Sequence, residues 1–281
     1  MAVLALITMS AESANPILRR QLITFFGLAY AIAWVFFGSL ALSQAGLGWL
    51  PWNLSLPVMI VLGSCAPALS ALLTLRLTER RWPAVAPLTR RSLVVGLIIA
   101  PILIAATFAA APAAILTVGP PSSLRWGVFL SASVFTLSTL IGGPLGEEPG
   151  WRGFALPRLQ NLFGPAKASL LLGFLWAAWH LPLFLCKAWS STNAPTYFLI
   201  TMGLSFSMTF LFNLSGGSVV TAIAAHGFFN TVSRWLGGLL ADATLRDGLS
   251  PELVLGLSGW VMALLILALT RGRLGSANSV S

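Results

Sequence analysis

The chain has 281 residues, of which 57% are hydrophobic and 8% charged, with a mean hydropathy of +0.88. Soluble domains carry about a quarter charged residues, so a soluble enzyme or binding module is excluded and a polytopic membrane protein is implied. The net charge of +9 comes from basic residues that fall between apolar runs, which fits membrane topology and not nucleic-acid binding.

Residues 1–21 are expected to form a poorly ordered leader. Their short apolar stretch, Val3–Met9, lacks the positive flank of a signal peptide. Eight apolar spans are predicted next: Leu22–Leu42, Leu56–Leu75, Leu93–Val118, Trp126–Leu145, Ala168–Leu185, Tyr197–Leu214, Val219–Leu240 and Leu253–Thr270. Runs of about 20 residues match membrane helices, whereas barrel strands run to about 10 with alternating polarity. The fold class is therefore all-α, a single transmembrane helix bundle over 22–271, with a polar tail over 272–281. Arginine and lysine concentrate in the segments that lie inside if both termini are inside, which predicts an N-in, C-in topology. Cys65 and Cys186 have no metal-ligand spacing and are expected to be small packing residues.

Glu147 and Glu148 stand side by side between two apolar runs. The other acidic residues, Glu12, Glu79, Asp242, Asp247 and Glu252, lie outside such runs. A charge at the bilayer centre costs roughly 2.5–3.5 kcal/mol on insertion scales, so a glutamate pair at depth marks a functional site. Both histidines, His180 and His226, also lie in apolar runs. If the glutamate helix runs on through Phe154 toward a charged Arg158–Lys167 loop, three titratable groups from three helices meet in one layer.

Spacing assigns partners. Glu148 and Arg152 are four apart and share a helix face, so they can pair. Glu147 is rotated by about 100° and left without a local partner, which makes it the better candidate for chemistry. Pro149 and Gly142-Gly143-Pro144 weaken the backbone ladder here, as happens at membrane depth where a cavity or protein interior is lined. Trp176 and His180 share a face, as do His226 and Asn230. An asparagine amide can donate to a developing oxyanion. Residue by residue, each group also has a purely structural reading: an interhelical salt bridge for the glutamates and arginine, and interhelical hydrogen bonds for the histidines and Asn230.

The three patterns together, Glu147-Glu148-x-x-x-Arg152, Trp176-x-x-x-His180 and His226-x-x-x-Asn230, resemble the motifs of the CPBP (Abi) family of intramembrane proteases. That family includes the type II CAAX prenyl endopeptidases and bacterial proteins of bacteriocin processing or self-immunity. The resemblance covers Gly146 to Asn230 and the eight-span layout, with tryptophan at 176 where the family pattern usually has phenylalanine. It implies that Glu147 and His180 activate a water, and that His226 and Asn230 hold the oxyanion. Glu148, Arg152 and Trp176 would support them. A divalent metal, zinc, on Glu147, His180 and His226 is compatible with two histidines and a glutamate, although the compact HExxH of zinc peptidases is absent.

The expected activity is endopeptidase cleavage of a membrane-embedded or lipid-anchored peptide, in what looks like a bacterial cytoplasmic membrane. The alternative is a non-proteolytic immunity or scaffold protein of the same fold. A transporter with a Glu/His proton relay is disfavoured because no second copy of the motif exists. Rhomboid-type chemistry lacks its Gly-x-Ser-Gly nucleophile, and aspartyl chemistry lacks paired aspartates in spans.

Overall fold

The computed structural model describes residues 16–80, 88–115, 130, 131, 134, 137, 140–186, 188, 189, 192–240 and 250–276. These residues are helical or lie in short turns, with no strand among them. Chain order runs α1 (Pro16–Leu42), α2 (Leu56–Ser64), α3 (Ala66–Glu79) and α4 (Arg90–Val94). A π-helical stretch, Val95–Ile99, carries α4 into α5 (Ala100–Ile115). The glutamate segment follows: a π-helical turn Ile141–Leu145, α6 (Gly146–Gly150), a second π turn Trp151–Ala155, and α7 (Leu156–Trp179). A 3₁₀ turn Leu181–Leu185 then leads to α8 (Ala194–Leu214), α9 (Val219–Leu240) and α10 (Pro251–Thr270).

Local chemistry sets the helix starts. Proline stands in the first turn of α2, α3, α8 and α10, where its missing N–H and fixed φ cost nothing. Asn193 and Ser250 cap α8 and α10 by accepting from the N–H groups of Thr196 and Leu253. Thr89 and Ser92 form a reciprocal capping box at α4.

Among the described residues, six helical segments are long and apolar enough to cross a membrane: Pro16–Leu42, Leu56–Glu79, Arg90–Phe108, Ile141–Leu185, Ala194–Leu214 and Pro251–Thr270. This is an integral membrane helix bundle, and it differs in detail from the eight expected spans. Half of the expected span Trp126–Leu145 lies outside the described residues. Val219–Leu240 is a helix but not one of the six, because His226, Asn230, Thr231, Ser233 and Arg234 dilute its hydropathy. The expected Arg158–Lys167 loop is not a loop. The helix carrying the glutamates runs on to Phe163, and the chain turns only at Gly164, whose φ of 74° is left-handed, followed by Pro165.

Of the expected leader and tail, residues 1–15 and 277–281 lie outside the described residues. Helix α1 starts at Pro16, so residues 16–21 belong to the bundle. There Gln21, 1% exposed, donates to Thr78 and to Glu79 and accepts from Arg158. After α10, Leu274 is fully buried and its carbonyl accepts from Asn213.

Tryptophans suture α1 to α7. The Trp34 indole donates to the Trp179 carbonyl, the Trp179 indole to the Ala29 carbonyl and the Tyr30 hydroxyl to the Leu175 carbonyl. Between them Phe25 stacks on Phe154 at 5.0 Å and meets Trp151 edge-on at 5.5 Å. Elsewhere small residues let backbones close. A Cβ on Gly203 of α8 would sit 2.9 Å from the Gly259 carbonyl carbon of α10. Both cysteines are free, Cys65 at the break between α2 and α3 and Cys186 buried after the 3₁₀ turn.

Candidate active site

The backbone breaks just before the glutamates. Gly142 (φ −85°, ψ 32°) and Gly143 (φ −162°, ψ −112°) interrupt the helix, and Pro144 follows. The helix resumes after this break, with Glu147 and Glu148 in the first turn of α6. Gly150 then presses this turn against α3. A Cβ there would lie 2.4 Å from the Pro67 carbonyl carbon and oxygen.

The two glutamates do different things. Glu148, fully buried, accepts on Oε1 from Arg152 Nη1 at 2.9 Å and from His226 Nδ1 at 2.8 Å. Arg152 is equally buried. Its Nε and Nη2, and Oε2 of Glu148, have no partner among the described residues. Glu147, 4% exposed, has no cationic partner of this kind. Its Oε2 accepts from the Trp176 indole N–H at 2.7 Å, which leaves Oε1 for other work.

Trp176 is the hub. Its ring lies under the Arg152 guanidinium, 4.3 Å from Cζ to the ring centre, and meets the His226 ring edge-on at 5.1 Å. Its carbonyl takes His180 Nδ1 at 2.9 Å. Helix α7 ends at that histidine, so His180 caps the helix while its ring folds back one turn. A carbonyl has no proton to give, so His180 Nδ1 carries the hydrogen and Nε2 presents a lone pair. The carboxylate beside His226 Nδ1 imposes the same arrangement: Nε2 is an acceptor when that ring is neutral and a donor when it is charged.

The four-residue spacing thus located the Glu148–Arg152 pair, while Glu147 takes its hydrogen bond from another helix, at Trp176. Trp176 touches Glu147, His180 and His226 in turn, and Glu148 holds His226. No hydrogen bond joins Glu147 to His180 among the described residues. Asn230 lies one turn beyond His226, partly exposed and outside this network. An aromatic wall around His180 was not read from sequence. Trp189 stacks parallel to the imidazole at 5.6 Å, and Tyr197 meets it edge-on at 5.2 Å. Phe184 contacts both. A lone tryptophan between spans and a tyrosine at a span's start carry no periodicity that would have singled them out.

The proposed metal set fits only in part. Both histidines hold their Nδ1–H against an oxygen, as metal-bound imidazoles do. Among the described residues, however, no three His, Cys, Asp or Glu side chains cluster closely enough to hold an ion.

Residues 129–232 match the family model for Rce1-like type II CAAX prenyl endopeptidases. The chain is also 32% identical over 95 residues to CAAX prenyl protease 2 of Methanococcus maripaludis, a match covering 30% of this chain and 34% of that protein. The chain therefore spans about a third of the curated relative it matches. Glu147, Glu148, Arg152, Trp176, His180, His226 and Asn230 all fall within the matched 129–232. Over that segment the chain is similar to the Rce1-like type II CAAX prenyl endopeptidases, the group whose motifs its glutamate, histidine and asparagine spacing resembles.

Proposed function

We propose that the protein is an intramembrane endopeptidase acting on a membrane-embedded or lipid-anchored peptide. One observation carries the proposal: of two adjacent buried glutamates, one pairs directly with arginine and histidine, while the other, among the described residues, accepts from an indole N–H and forms no direct ion pair. A carboxylate kept at membrane depth without a direct ion pair is poised to exchange a proton.

In this scheme Glu147 takes a proton from a water that also donates to His180 Nε2, and the hydroxide attacks the peptide carbonyl carbon. The carbonyl π pair moves to oxygen. That oxyanion is met by the Asn230 amide and by His226 in its charged form, which Glu148 stabilises at Nδ1. The tetrahedral carbon then collapses, the C–N bond breaks, and Glu147 returns its proton to the leaving amine. Trp176 keeps Glu147 in place. The relative's name denotes a prenyl protease, so a prenylated peptide is one substrate to test beside unprenylated lipid-anchored ones.

The test compares the membrane proteomes of cells expressing wild type, Glu147→Ala and Glu147→Gln. Gln preserves the acceptor for Trp176, so that variant is expected to insert and fold as wild type does. Peptide termini present with wild type and absent with both variants are the expected result, with cleavage reduced about 10²-fold or more. Termini that persist with Glu147→Gln would remove Glu147 from proton transfer. Identical termini in all three, with every protein stably inserted, would favour a non-proteolytic immunity or scaffold role.

A further inference from the structure

Away from the site, a groove of about 410 Å³ is lined by Arg90, Arg91, Val94, Val95, Ile99 and Leu214. Its rim is cationic and its floor aliphatic. Arg91 is held in place: its Nε donates to the Leu214 carbonyl at the end of α8, which leaves both terminal nitrogens of the guanidinium for another acceptor. Arg90 and Arg91 are both exposed.

No described carboxylate answers these two charges. Glu79 is engaged with Arg158 and Gln21. Glu147 and Glu148 are buried in the site. Glu252 begins α10, a 20-residue helix whose other end leads to the Leu274 turn beside Asn213 and Leu214. It therefore stands about 30 Å away. With 16 basic and 7 acidic residues, the chain as a whole relies on outside anions.

The aliphatic floor says what kind of anion. Leu97, Ile98 and Ile102, next along the same helix, are 68%, 53% and 63% exposed, which for a spanning helix means facing lipid tails. The groove therefore runs from an arginine-lined interface down toward hydrocarbon. A soluble phosphate would use only its upper half.

We propose that this groove binds an anionic phospholipid, with its phosphate on Arg90 and Arg91 and one acyl chain along Val94, Val95, Ile99 and Leu214. Basic pockets between membrane helices hold acidic headgroups in this way, and each arginine adds about a factor of five in affinity. The groove's wall also packs on the site's scaffold: Thr221, at the start of the helix that carries His226, donates to the Ser92 carbonyl.

The experiment is native mass spectrometry of the whole protein in detergent, titrated with phosphatidylglycerol and phosphatidylcholine of equal chain length. A roughly thirtyfold preference for one phosphatidylglycerol is expected, falling to the phosphatidylcholine level in the Arg90→Gln/Arg91→Gln double variant. The control variant Arg19→Gln/Arg20→Gln removes the same charge from the start of α1, away from the groove's lining, and should keep the preference. Equal binding of the two lipids, an unchanged preference in the Arg90/Arg91 variant, or an equal loss in the control would each overturn the proposal. Displacement of the lipid by millimolar inorganic phosphate would overturn it too, by showing that the site takes a soluble anion.

Discussion

Arg152 and Glu148 show how a buried charge pair constrains its neighbours. Removing either partner leaves the other unpaired out of water, which costs about 3–5 kcal/mol. Arg152→Ala and Glu148→Ala should therefore lower the melting temperature alike, and the double variant should be no less stable than either single one. Additive losses would show that the two do not act as a pair. Their effects on catalysis should separate further. Glu148 also holds His226 Nδ1, so Glu148→Ala frees that ring, while Arg152→Ala leaves the carboxylate beside it. Spacing alone predicted the first relation, because residues four apart on a helix are neighbours whatever the fold. It could not predict the second, since His226 lies 78 positions away.

At the scale of elements, contact between α3 and the glutamate turn positions the site. Gly150→Ala would place a methyl group against the Pro67 backbone, where nothing flexible can yield. Overpacking of this kind costs about 1–3 kcal/mol, so the variant should unfold earlier and cleave more slowly. Gly27→Ala is the matched control. Nothing lies within 4 Å of a Cβ there, and alanine is the better helix former by about 1 kcal/mol. Its melting temperature should stay level or rise. Equal behaviour of the two variants would mean that the α3 contact does not set the position of Glu147. The sequence announced a break at Gly142-Gly143-Pro144, since glycine and proline weaken any helix. It suggested a loop at Arg158–Lys167, yet Arg158 sits on a helix that stays intact up to Gly164 and Lys167 on the helical stretch that follows.

Across the molecule, one end of the bundle is tied by side-chain amides. Asn213 and Gln160 exchange two hydrogen bonds, at 2.9 and 3.1 Å, and Asn213 also holds the Leu274 carbonyl at 2.9 Å. This joins α7, α8 and the turn after α10. Asn213→Ala should destabilise the protein by about 1–3 kcal/mol, because three polar groups lose their partners at once. An unchanged thermal midpoint would show that water replaces them without loss. The Gln21, Thr78, Glu79 and Arg158 cluster ties α1, α3 and α7 at the same end. This explains why Gln21 and Leu274, from the segments expected to be leader and tail, pack on the bundle: each carries a side chain or carbonyl that completes a polar knot.

By itself the sequence determined the membrane class, the helical class, and the identity of the glutamate pair, its arginine and both histidines. Composition and helix periodicity are local properties, and an ionisable group inside an apolar run is conspicuous without any fold. Only the tertiary structure decided that Trp176 joins Glu147, Arg152, His226 and His180, that Glu148 belongs to His226, and that aromatic rings wall His180. Those contacts link positions far apart in the chain. They depend on how helices cross and on which face each turns inward, which no single segment encodes.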